Sequence, residues 1–238
     1  NWGKSSQAVY TLTNLESTGD MNLFGGVVLG QGLRASAGGD LNVYGAGGVY
    51  ITGVKDTRYS EDHARGGNDF EMDVSMYDET LQQGGLTGNN VNVVSEGGAV
   101  NLIGVNMKAT GNSSRALNVY GHASVAISDM AEYDYYTYHF QIDGGGIGGG
   151  NDTVDQQRQS VKNIKSSLTS IGGMSFSSCT GDIVFKNVDF NSNGKIVGRA
   201  NNGTISLLSS QDMDMYSLSS VTNGSVTVTA HQEGYDHR

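Results

Sequence analysis

Short runs in which two apolar residues flank a polar one recur along this chain, separated by glycines. The clearest lie in 38–53, as Leu41-Asn42-Val43 and Val49-Tyr50-Ile51. Alternation of this kind puts both apolar side chains on one side of an extended strand and the polar one on the other. The pattern returns at Met21-Asn22-Leu23 with Val27-Val28-Leu29, and at Val91-Asn92-Val93 with Val100-Asn101-Leu102. It returns again at Leu117-Asn118-Val119 with Val125-Ala126-Ile127, and at Met174-Ser175-Phe176 with Ile183-Val184-Phe185. Ile196-Val197 with Ile205-Ser206-Leu207, then Val226-Thr227-Val228, continue the series.

The spacing is steady: 20 residues from Met21 to Leu41, 22 from Met174 to Ile196 and 21 from Ile205 to Val226. Such a period predicts an all-β chain of stacked coils, a parallel β-solenoid of about seven turns, each burying its apolar pairs against its neighbours. A third apolar step, at Val54, Val105/Met107, Met130 and Val188/Phe190, predicts three faces per turn. Asn22, Asn42, Asn92, Asn101 and Asn118 fall on the outer side and are expected to stack as one external ladder.

Three stretches depart from the repeat. The first insert spans about 55–85 and the second about 131–170, and a third is expected to start at 231–238, where Tyr235-Asp236-His237-Arg238 echoes Tyr59 to Arg65. Each of the first two has an extended arm, a Gly/Asn-rich turn and a return arm, which predicts a β-hairpin leaving the solenoid. In the second return arm Val161, Ile164, Leu168 and Ile171 also have helical spacing, but the Ser and Asn residues among them favour the strand. The Gly-rich run 145–152 reads as a flexible turn rather than a calcium repeat.

Composition sharpens this picture. The chain has 36 glycines and no proline in 238 residues. Proline cannot donate to a ladder, so its absence suits a backbone that is hydrogen-bonded nearly throughout. A net charge of −10 argues against a nucleic-acid groove or an anionic membrane surface as partner. Cys179 is the single cysteine, so no internal disulfide is available.

Chemistry is harder to find. There is no HExxH, nucleophile elbow or phosphate loop. His63, His139 and His237 lie in insert arms and read as solvated strand residues, so no metal, cofactor or catalytic group is expected. Carbohydrate-cleaving enzymes place acidic pairs in a groove, whereas Asp40, Asp129, Asp182, Asp212 and Asp214 are scattered over turns and inserts. Tyr133, Tyr135, Tyr136 and Tyr138 are rigid amphipathic side chains on one insert arm and form the candidate interaction surface.

The cores Gly-Gly-Asp-Leu-Asn-Val (38–43) and Gly-Asp-Ile-Val-Phe (181–185) resemble the haemagglutinin repeats of filamentous-haemagglutinin-type exoproteins. So does the module of hairpin insert, Ser-Ile-Gly-Gly-Met-Ser-Phe (170–176) and further coils, and the resemblance extends from Ser17 onward. It implies a right-handed parallel β-helix with extra-helical hairpins, part of a rod on a Gram-negative cell surface. These are the exported partners of two-partner secretion systems, and they include adhesins and contact-dependent growth-inhibition effectors. The expected partners are then an outer-membrane transporter for secretion and a component of a target-cell surface or membrane. Neither the secretion domain nor a toxin domain of that family is recognisable here. Residues 1–238 are therefore expected to be one β-helical segment of a larger protein, open to end-to-end self-association.

Overall fold

A computed structural model describes residues 2–67, 70–143, 151–222 and 225–236. The turn of the second insert at 144–150, the 68–69 turn of the first, and His237 and Arg238 lie outside these. Among the described residues strand is the only regular secondary structure, and it forms two arrangements of opposite sense.

The first is a set of parallel ladders. One takes Thr13–Ser17, Leu33–Ala37, Gly84–Gly88, Val105–Ala109, Ser166–Ser170 and Val188–Ser192 in chain order. A second takes the first halves of Met21–Gln31 and Leu41–Thr52, then Val91–Ser95, Leu117–Gly121, Met174–Ser178 and Ile196–Ala200. A third takes the remaining halves, then Val100–Ile103, Val125–Ser128, Ile183–Lys186 and Ile205–Leu208. The chain visits the three ladders in rotation, and each round makes one layer. Six layers result, one fewer than the repeat predicts, because the final apolar run is used elsewhere.

Registers carry the apolar residues into columns. Leu41, Val91, Leu117, Met174 and Ile196 pair in sequence, as do Val49, Val100, Val125, Ile183 and Ile205. The first ladder contributes Leu15, Ala35, Leu86, Met107, Leu168 and Phe190. All three ladders feed one buried cluster. In the fifth and sixth layers Phe176, Phe185 and Phe190, one from each ladder, meet edge-on with centroids 4.9, 5.0 and 5.9 Å apart. In the first layer a bulge between Gly25 and Val27 shifts the register, so Val28 packs on the core while Val27 and Leu29 face out.

On the outside, Asn42 donates to Asn22 at 2.9 Å and Asn92 to Asn42 at 2.8 Å. Asn118 lies next in that column, but Asn101 pairs with Tyr50 and Ala126 in a different ladder, so the expected five-member stack is reduced.

The corners leaving the third ladder explain the inserts. Gly32, Gly104 and Asn187 have φ of 59°, 61° and 52°, and each turns the chain directly into the next layer with one left-handed residue. Glycine and asparagine adopt that conformation at least cost. The intervening corners, at Gly53, Asp129 and 209–210, instead release a hairpin. Corner amides stack as well, Gly32 N on Thr52 O, Gly53 N on Ile103 O and Gly104 N on Ser128 O. Left-handed corners and hairpin corners therefore alternate, one hairpin for every two layers.

These hairpins are Val54–Gly66 with Phe70–Gln82, Met130–Asp143 with Asn151–Ile164, and Gln211–Thr222 with Ser225–Asp236. The second return arm is strand throughout. The third insert starts at Gln211 rather than His231, and His231 lies in its return arm, as do Val226 and Val228, which pair antiparallel instead of making another coil. Val54 and Met130 open hairpins rather than forming a third face, which begins at Gly84 and Ser166 instead. Hairpin starts are 76 and 81 residues apart, a more even module than the inserts expected from the sequence.

Candidate functional site: the hairpin sheet

The hairpins do not project separately. The return arm of the first pairs with the outgoing arm of the second, and the return arm of the second with the outgoing arm of the third. Trp2–Ala8 pairs with the outgoing arm of the first, completing a seven-stranded antiparallel sheet. The reason is a match of spacing. Two layers advance the column by about 9.6 Å, and the two arms of a hairpin occupy about the same width, since both are set by the same ~4.8 Å strand separation. A hairpin released every second layer therefore meets the next one in hydrogen-bonding register. With arms of 12 to 14 residues, the sheet reaches roughly 40 Å from its base.

Strand alternation distributes its side chains over two faces. Tyr133 and Tyr135 fall on one face, Tyr136 and Tyr138 on the other. Tyr135 stands in a row with Tyr59 and Tyr77, two tyrosines that the local sequence pattern does not connect to it. The Lys55 ammonium lies 5.4 Å from the Tyr133 ring. On the opposite face Tyr138 stacks on Phe140, and Phe140 meets Phe70 edge-on at 5.5 Å, with Met72, Val74 and Leu218 in neighbouring rows. The tyrosine run thus contributes to two surfaces. The partners missed in the sequence, Tyr59, Tyr77, Phe70 and Phe140, are found by counting from the hairpin bases.

Near the column the strands diverge, and carboxylates take over where the ladders between hairpins stop. Pairing between the first two hairpins ends at Asp78 opposite Asp134. Just beyond, Tyr133 N donates to Glu79 Oε2 at 3.0 Å and Leu81 N to Glu132 Oε1 at 2.6 Å, a reciprocal cap across the seam. At the next seam Asn163 N donates to Asp212 Oδ1 at 2.8 Å, and at the first Tyr10 N donates to Asp56 Oδ1 at 2.8 Å. Arg158 adds a two-pronged contact to Asp214 at 3.2 and 3.3 Å, an exposed pair that contributes little by itself.

Glu79 is the most constrained of these acids. Burial pushes its carboxyl up, but the Lys55 ammonium at 2.6 Å, the Tyr77 hydroxyl at 2.8 Å and the Tyr133 amide bring it below the ordinary glutamate value. A carboxyl lowered on folding contributes stability above its unfolded value and loses it as pH falls through the folded one. Acid should therefore open this seam before it melts the apolar core. Below about pH 4, hydrogen-exchange protection of the Tyr133 amide is expected to fall while that of Val119 persists. Glu79→Gln should weaken the same protection at neutral pH, by about 1–2 kcal/mol.

Comparison with protein-family models, curated proteins and solved structures returns no match to this chain.

Proposed function

We propose that the three ladders are the faces of a right-handed parallel β-helix, and that the chain is a non-enzymatic haemagglutinin-repeat segment of a large secreted bacterial surface protein. In this reading it is a stiff spacer whose hairpin sheet runs along it as a fin, serving cell–cell contact or toxin delivery across a target outer membrane. The observation that carries the reading is the phase match between hairpins and layers. A module of two layers and one hairpin repeats without a break in either the parallel ladders or the antiparallel sheet, as a rod of indefinite length requires. Stability then accumulates layer by layer from neighbour interfaces.

The non-enzymatic reading is supported by the five scattered aspartates, each of which is held by a neighbouring residue. Asp40 accepts from Asn90 N, Asp129 from Asn187, Asp182 from Thr204 N, Asp212 from Asn163 N and Asp214 from Arg158. The last layer leaves its inward side chains Ile205 and Leu207 exposed, which suits stacking of one segment on the next.

The aromatic clusters favour a second, adhesive role for the fin, with a target-cell receptor gripped by one face. Binding of the isolated segment to target cells tests it, with Tyr135→Ala and Tyr138→Ala reporting on opposite faces. Adhesion predicts that one of the two lowers binding severalfold and the other leaves it intact. No binding by the unaltered segment leaves the spacer reading alone.

A further inference from the structure

On the face that carries Tyr59, Tyr77 and Tyr135, one row of the sheet reads His63, Asp73, His139, Asp155 across four strands. Imidazole and carboxylate alternate in it at about 4.8 Å spacing. Asp73 Oδ1 pairs with His63 Nδ1 and is closed to solvent. Two residues towards the tip on the same strand, Glu71 shares this face. His63, Glu71 and Asp73 each bring a donor atom within 4.8 Å of the other two, and all three are half-buried. Arg65 Nη2 holds Glu71 Oε1 at 2.7 Å.

With the imidazole neutral, its ring nitrogen and the carboxylate oxygens of Asp73 and Glu71 all present lone pairs, which one shared cation can accept. One nitrogen and two oxygen donors suit a borderline first-row ion, with bonds of about 2.0–2.2 Å that small side-chain rotations bring within reach. Calcium and magnesium favour oxygen-only shells. We propose that His63, Glu71 and Asp73 form a binding site for a divalent transition ion of the Zn²⁺ type, with water completing the coordination. The ion clamps the two arms of the first hairpin near its tip, independently of any role the fin has in adhesion.

The second hairpin is an internal comparison. It has the equivalent pair, His139 Nδ1 and Asp155 Oδ1 at 2.5 Å, but Thr153 stands where the first hairpin has Glu71. Two donors should not hold the ion, so one site per chain is expected. A reporter is already in place, because the ring of Trp2, the single tryptophan, lies 5.0 Å from the His63 ring.

The test is a titration of the metal-free protein with Co²⁺ at pH 7.5, followed by tryptophan fluorescence, then competition with Zn²⁺. Quenching should saturate at one Co²⁺ per chain and be reversed by Zn²⁺. His63→Ala and, separately, Glu71→Gln should each weaken binding by more than about tenfold, and His139→Ala should leave it unchanged. Thermal melts of the metal-free variants establish that the sheet is intact. Binding should weaken in acid, because a protonated imidazole offers the ion no lone pair. Unsaturable quenching, equal losses for His63→Ala and His139→Ala, or binding that strengthens in acid overturns the site.

Discussion

Val119→Asp should abolish cooperative folding of the column, whereas Asn118→Asp, one residue away, should change its stability by less than about 1 kcal/mol. Val119 is fully buried between Val93 and Phe176 in its ladder. A carboxylate there loses its hydration and gains no partner, at a cost of several kcal/mol that one layer cannot offset. Layers depend on their neighbours, so the damage spreads to both sides. Asn118 belongs to the outer column with Asn92 and Ser175, where water solvates a charge. A denaturant melt followed by circular dichroism separates the two variants. Equal damage from both contradicts the assignment of inside and outside.

Phe176→Ala should lower stability by about 3–5 kcal/mol. Its ring is 1% exposed and wedged against Phe185 and Phe190, so its loss opens a cavity at the one point where three aromatic side chains join all three ladders. Backbone ladders on either side prevent the faces from collapsing into the gap. Phe24→Ala is the matched control, because that ring is 69% exposed at the first layer and should cost far less in the same melt.

The apolar pairs from Leu41 to Phe185 are legible because two successive inward positions in each of those strands are aliphatic or aromatic residues. Insert boundaries are not. Gly84, Leu86 and Gly88 point inward, as do Ser166, Leu168 and Ser170, with Leu86 and Leu168 the only strong apolar signals in those two strands. With so little apolar signal those strands read as part of the inserts, and Val54 and Met130 read as the third face instead. Val226-Thr227-Val228 fits a hairpin arm as well as a coil, since both alternate with period two, and only pairing partners distinguish them. The candidate tyrosines had the same difficulty: adjacency in sequence concealed that neighbours in a strand face opposite ways. The His63, Glu71 and Asp73 cluster needed the register of two arms, which no local motif specifies.

The phase match between hairpins and layers is tested most directly by disulfide trapping across the seam between the first two hairpins, in a Cys179→Ser background. Ser75 lies opposite Thr137 and Met76 opposite Tyr136. Adjacent pairs in an antiparallel ladder alternate in type, with Cα atoms about 4.5 or 5.5 Å apart, and both separations lie within the range a disulfide spans. Double-cysteine variants of both pairs should yield at least one rapidly formed intramolecular bond under mild oxidation. Glu61 with Ser75 and Ser60 with Met76, opposed within the first hairpin, are the controls, since the hairpin itself brings them together. If a control closes and neither cross-seam pair does, the hairpins stand apart and the continuous fin is refuted.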